Sequence, residues 1–183
     1  MSTDSHRLRR EHRRARVQHP APPQQPAAAT TGAAARPVRS LVCLLLLIAL
    51  GAVAYSRLYT AGFIWDDESY VLENPHLPDP HGLARIWALN GESPQYYPMV
   101  FTTFWIEYHL WGLNPIGYHV VNVVLHICNA VLIWQLLRRV GFRFPYVAAL
   151  VFALHPVHVE TVAWVTERKN VLSTLFYLLS WHA

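Results

Sequence analysis

Two carboxylates stand side by side at Asp66 and Asp67, in the run Phe63-Ile64-Trp65-Asp66-Asp67-Glu68. Adjacent acids repel, and a desolvated acid resists ionising, so such a pair can keep one carboxyl basic enough to take a proton from an attacking hydroxyl. The alternative is structural: one acid caps a short helix and its neighbours are solvated. Neighbouring residues point to different sides of a strand or a helix, so the two acids are not equivalent. Phe63 and Trp65 set Asp66 against the apolar approach to the segment. Asp66 is therefore the expected base, and Asp67 the expected cap or the partner of Arg57 or Arg168.

A second constellation runs His155-Pro156-Val157-His158-Val159-Glu160 and continues at Glu167-Arg168-Lys169-Asn170. Proline suits the first position of a helix, so a new helix is expected to start at Pro156. On it Glu160, Trp164 and Glu167 fall at i, i+4 and i+7, on one face. Arg168 and Lys169 beside that face could hold a phosphate-bearing headgroup, with Glu160, Glu167, His155 and His158 orienting a sugar. The plainer reading is a polar interfacial helix. H-x-x-H-x-E is not the H-E-x-x-H of zinc proteases, so no metal is assigned and no spacing supports a divalent cation. A third feature is a polar stripe, His119, Asn122, His126 and Asn129, within an arc of about 80° on one helix. Polar groups at membrane depth face a bundle interior or a wet cavity, and interhelical hydrogen bonding is the commoner cause.

The elements that must position these residues are apolar. Hydrophobic residues make up 53% of the 183 and charged residues 14%, against about 25% charged in soluble domains. An all-α, multi-pass transmembrane helical bundle with a structured external loop is expected. Residues 1–39 form an arginine-rich, Pro/Ala/Gln-rich tail, too poor in apolar surface to fold, and residues 40–56 a first span. Ala52-Val53-Ala54 has the form of a signal-peptidase site, but forty residues precede it, so a retained anchor is the reading. Residues 57–117 form an acidic, aromatic external loop, in which His81–Leu89 and residues 101–113 read as interfacial helices. Residues 118–137 make a second span, 138–144 a basic turn, 145–154 a third membrane segment and 155–170 an external segment. Residues 171–183 open a fourth span, inside which the chain ends, so it reads as a piece of something longer. Cys43 and Cys128 lie in apolar runs and read as buried thiols.

Charge sets the orientation. Eight arginines lie in residues 1–40 and three more in 138–144, which puts the N-terminus and that turn in the cytoplasm of a cell-membrane protein. The two acidic segments then share the outer face and contain all nine acids outside the tail. Basic tails beside a span touch anionic lipid headgroups, so membrane lipids are expected partners and nucleic acid is not. Arginine outnumbers lysine fourteen to one, which hints at a GC-rich bacterial genome.

Trp65-Asp66-Asp67 after the first span, Asn74-Pro75, Tyr97-Pro98, then G-Y-H-V-V-N-V-V-L-H from Gly117 and H-P-V-H-V-E from His155 come in one order. This order resembles the N-terminal part of the transmembrane and tetratricopeptide-repeat O-mannosyltransferase-like proteins and their bacterial relatives, over about residues 40–181. The resemblance implies an integral-membrane glycosyltransferase with a polyprenyl-phosphate sugar donor, often mannose, and a protein or glycan hydroxyl as acceptor. It also implies inversion by a single displacement, Asp66 or Asp67 as the catalytic acid of the first external loop, and Glu160 with Arg168 as the second external motif. No tetratricopeptide repeat occurs in these residues, and the remaining spans are missing, so this stretch alone is expected to be inactive. The rival expectations are a non-enzymatic membrane scaffold or assembly subunit and, on the polar stripe alone, a transporter.

Overall fold

The computed structural model describes the backbone of residues 31–88 and 95–183, with side chains from Val38 onward. The expected disordered tail, up to residue 30, and Leu89 lie outside the described residues. Among the described residues every regular element is helical: α1 (Thr31–Ala54), α2 (Gly82–Trp87), α3 (Pro98–Trp111), α4 (Pro115–Arg139), α5 (Pro145–Leu154), α6 (Val159–Ala163) and α7 (Arg168–His182). The first helix thus begins earlier than the expected residue 40. Among the described residues, only α4 is a single helix long and apolar enough to cross a bilayer. The pair Pro145–Leu154 and Pro156–Ala163, bent by 49°, makes a second candidate if taken as one span, and Val38–Ala54 is apolar but shorter.

Helix ends follow local chemistry. Asn114 caps α4 by accepting from the Ile116 N–H at 3.1 Å, Pro115 takes the first position, and Arg138 and Arg139 complement the last turn. Pro156 holds His155 extended, at ψ 130°, so α5 stops there. The freed Val157 N–H is taken up by His155 Nδ1 at 3.2 Å. Asn74-Pro75 ends the turn Glu68–Leu72: Asn74 donates to the Tyr70 carbonyl at 3.2 Å and accepts from the His76 N–H at 3.0 Å. Gly82 is required by close approach, because a Cβ there would meet the His76 carbonyl oxygen at 1.8 Å.

The external loop has a core of its own. Phe101 and Phe104 of α3 are buried with Tyr70, Leu77, Ile86 and Tyr118, and Trp105, Tyr108 and Trp111 pack against them. Phe101 stacks on Tyr70 with centroids 5.3 Å apart, and Phe104 lies 5.9 Å from Tyr118; such pairs add about 0.5–1.5 kcal/mol each beyond burial. These aromatics were expected at headgroup level, and Ile86, Trp87 and Leu89 on the membrane surface. Phe101, Phe104 and Ile86 are buried inside the loop's core instead, where α2 and α3 cover one another, while Trp87 stays exposed and its indole N–H donates to Thr102 Oγ1 at 3.0 Å. Cys43 is half-buried and Cys128 exposed, so the expectation of two buried thiols fails. Cys128 lies on the face of α4 away from the polar stripe.

The stripe faces inward along its whole length. His119 Nε2 meets the Gly62 carbonyl at 3.4 Å and His126 Nε2 the Ala153 carbonyl at 3.2 Å. Asn122 donates to the carbonyls of Val162 and Trp164, and Asn129 to that of Val171 at 2.9 Å. The carbonyls of Ala153, Val162 and Trp164 lie in last turns or at the break, where helices leave acceptors open, and that of Val171, in the first turn of α7, offers its second lone pair. Replacing His126 and Asn129 together by leucine is expected to lower thermal stability, at about 0.6 kcal/mol per lost interhelical bond. An unchanged unfolding temperature would show that these bonds hold nothing together.

Candidate active site

The two acidic motifs meet through Asp67. Its side chain is 0% exposed. Oδ2 accepts from the Ile64 N–H at 3.1 Å, closing its own turn, and Oδ1 accepts from the Thr166 N–H at 2.9 Å, ninety-nine residues away. Burial raises the Asp67 carboxyl, while the N–H groups of Ile64 and Thr166 and nearby His119 pull it down. Asp67 is thus a clip between the loop after α1 and the segment before α7.

Asp66, its neighbour, is exposed. Its carbonyl accepts from the Tyr70 N–H at 3.0 Å and from Ser69 Oγ at 3.1 Å, which starts the turn Glu68–Leu72 beneath it. Trp65, just before it, has φ +48° and is 73% exposed. A bulky residue in that region is strained, by about 1–3 kcal/mol, and holds only where its surroundings over-determine it. Here they do: the Trp65 ring meets that of Trp164 edge-on at 5.1 Å, and the next two N–H groups but one are fixed by the turn. The strain aims Trp65 across the two motifs and leaves the Asp66 carboxylate on the outside of the bend.

The helix expected to carry Glu160, Trp164 and Glu167 on one face is broken. Trp164 is extended, at ψ 119°, and separates α6 from a 3-10 turn, Val165–Glu167. The break separates the expected residues into two groups. Glu167 and Lys169 join the Asp66 side: Lys169 Nζ pairs with Glu167 Oε1 at 2.7 Å, and Asn170 also donates to Glu167. The Glu167 carboxylate raises the Lys169 ammonium. Burial raises the Tyr70 phenol, Lys169 lowers it, and Tyr97, Asp66 and Glu167 raise it. His155, His158 and Glu160 lie on the other side of the break. His155 caps its own turn, Glu160 is exposed, and His158 packs on Phe152 at 4.5 Å and on His126 at 5.3 Å.

Arg168 departs most from expectation. Read as an exposed partner for a headgroup, it is 0% exposed instead. Nε donates to Asn122 Oδ1 at 2.7 Å, Nη2 to the Tyr118 carbonyl at 2.8 Å, and Nη1 to Thr103 Oγ1 at 3.2 Å and to Glu107 Oε1. The guanidinium lies over the Phe104 ring at 4.9 Å. Burial lowers it and nearby Asp67 raises it. With its donors turned inward, it ties α3, α4 and the start of α7 together and fixes the backbone that presents Thr166 to Asp67. Glu107 and Thr103 went unread in the sequence. The signal was there: Glu107 is a lone acid in phase with Val100 and Phe104 on an apolar face, and a buried acid calls for a cation or hydrogen-bond donors opposite it.

No family model matches the chain, and no solved structure matches it. Among curated proteins it is similar to the protein O-mannosyl-transferase F38B6.6 of Caenorhabditis elegans, 32% identical over 149 residues, covering 74% of this chain and 22% of that protein. It is 33% identical over 161 residues to the human protein O-mannosyl-transferase TMTC4, with the same two shares. With TMTC3 of Mus musculus it shares 32% over 143 residues, 73% of this chain and 16% of that one. The chain therefore spans about a fifth of the length of these relatives. Over the stretch it shares with them, the chain belongs to the family of these protein O-mannosyl-transferases, as the order of its motifs led us to expect.

Proposed function

We propose that this chain is the N-terminal, base-bearing part of an integral-membrane glycosyltransferase that moves a sugar, mannose by the names of its relatives, from a polyprenyl-phosphate donor to a hydroxyl of a protein or glycan. Asp66 is the general base: it takes the acceptor's proton as that oxygen attacks the anomeric carbon, and the donor phosphate leaves from the opposite face with inversion. Lys169 supplies positive charge for that phosphate. Glu167 holds the ammonium in place, and Asp67 and Arg168 are positioning residues. The observation that carries the reading is the Asp67–Thr166 bond, which ties the loop bearing the exposed Asp66 to the segment that leads into Glu167 and Lys169. α1, α4, the bent pair from α5 to α6, and α7 act as four membrane passes, with the N-terminus in the cytoplasm.

The assignment requires both motifs on one side of the membrane. A reporter active only outside the cytoplasm is expected to work when fused after residue 90 and to fail when fused after residue 141. Activity at both positions, or the reverse pattern, would separate the motifs and overturn the assignment. A scaffold would need neither the bond nor the strained Trp65 beside an exposed acid.

A further inference from the structure

The other end of the helices carries a different chemistry. Arg138, Arg139 and Gln135, in the last turns of α4, line an open cavity of about 330 Å³. Arg143 follows in the turn, and the side chains from Arg138 to Phe144 are exposed throughout. Leu47 clusters with Ala130, Gly51 faces Ile127, and Tyr55 clusters with Val123. That antiparallel register brings Arg39 of α1 to the level of Arg138. No acid occurs between Glu107 and Glu160, nor between Thr31 and Trp65, and none of these arginines has an ion pair among the described residues. Arg139 makes only a long bond, 3.4 Å, to the His182 carbonyl, and Arg138 lies over Trp134 at 5.6 Å.

Beside this charge three apolar side chains stand in the open: Val140 is 70% exposed, Phe142 52% and Phe144 56%. A soluble anion would use the arginines and leave these side chains in water. A lipid satisfies both, its phosphate on the guanidinium forks and its glycerol and upper acyl region against the aromatics. We propose that Arg138 and Arg139, with Arg39 and Arg143 around them, form a binding site for the headgroup of an anionic phospholipid, anchored by Phe142 and Phe144. This site is separate from the proposed active site and does not rest on it.

The test is native mass spectrometry of the full-length protein in detergent, with phosphatidylglycerol and phosphatidylcholine in equal amounts. Preferential retention of phosphatidylglycerol is expected, at about fivefold per arginine engaged. R138Q/R139Q should cut the preference by about 25-fold, the share of two arginines. R138K/R139K should keep part of it, because charge remains but the planar fork is lost. The parent protein gives a reading that does not depend on any variant folding: a photoactivatable phosphatidylglycerol in vesicles should label the peptide spanning residues 135–144. Equal retention of the two lipids, a preference untouched by R138Q/R139Q, or labelling only elsewhere would overturn the site. Displacement of the bound lipid by millimolar inorganic phosphate would assign the arginines to a soluble anion instead.

Discussion

Replacing Asp66 by asparagine in the full-length protein is expected to lower sugar turnover by about 10²–10⁴-fold, the usual contribution of a general base. Asparagine keeps the shape of aspartate but cannot accept the acceptor's proton. Asp66 is exposed and no bond of its carboxylate holds the fold among the described residues, so the variant should unfold at the parent's temperature. Asp67→Asn should behave in the opposite way. The carboxylate accepts from two backbone N–H groups, and an amide can accept one while turning its own NH₂ against the other. Leaving such a group unsatisfied costs about 1–3 kcal/mol. Turnover should fall less than in Asp66→Asn, and thermal stability more. A transfer assay with a polyprenyl-phosphate sugar and a thermal unfolding series on both variants decide the matter. Turnover surviving in both single variants and in the double variant would sink the base assignment and favour the scaffold.

The second large effect is expected at Arg168. Methionine there fills much of the same volume but strands Glu107 as a buried, unpaired acid and removes donors from Asn122 and the Tyr118 carbonyl. Removing one partner of a buried pair costs about 3–5 kcal/mol. Arg168→Met should therefore lower the unfolding temperature sharply and reduce the yield of folded protein. Adding Glu107→Leu should restore part of the loss, since the stranded charge goes with it, although the other acceptors stay unpaired. A single variant as stable as the parent, or a double variant worse than the single by the full cost of a second lesion, would contradict the buried pair.

What could be read in the sequence tracks how local the determinant is. The Asn114-Pro115 and His155-Pro156 signals act within one turn: the start of α4 and the end of α5 are set by the residues beside them. The stripe of α4 was legible because a 3.6-residue period repeats over three turns. The amphipathic face of Glu160, Trp164 and Glu167 was not, because that period assumes an unbroken helix. The backbone instead turns out at Trp164, where its carbonyl is held by Asn122 from another helix. Arg168 misled for the same reason. Beside Lys169 it reads as an exposed basic pair, and only tertiary packing against Glu107, a lone acid sixty-one residues earlier, makes it an inward-facing hub. The aromatics of α3 carry the composition of a membrane belt, and their inward packing depends on α2 and the Tyr70 turn closing over them. Asp66 and Asp67 were separable in kind from the sequence, since neighbours face different ways. The Thr166 partner of Asp67 was not, being a backbone N–H.

The proposed chemistry requires the sugar donor to sit between Asp66 and Lys169. The direct measurement is a structure of the full-length protein with a non-hydrolysable polyprenyl-phosphate sugar. The expected result puts the phosphate within hydrogen-bond reach of the Lys169 ammonium and the anomeric carbon between that phosphate and the Asp66 carboxylate, with room for one acceptor hydroxyl. A donor bound beyond the helix break, against His155 and Glu160, with Asp66 turned to open solvent, would contradict it.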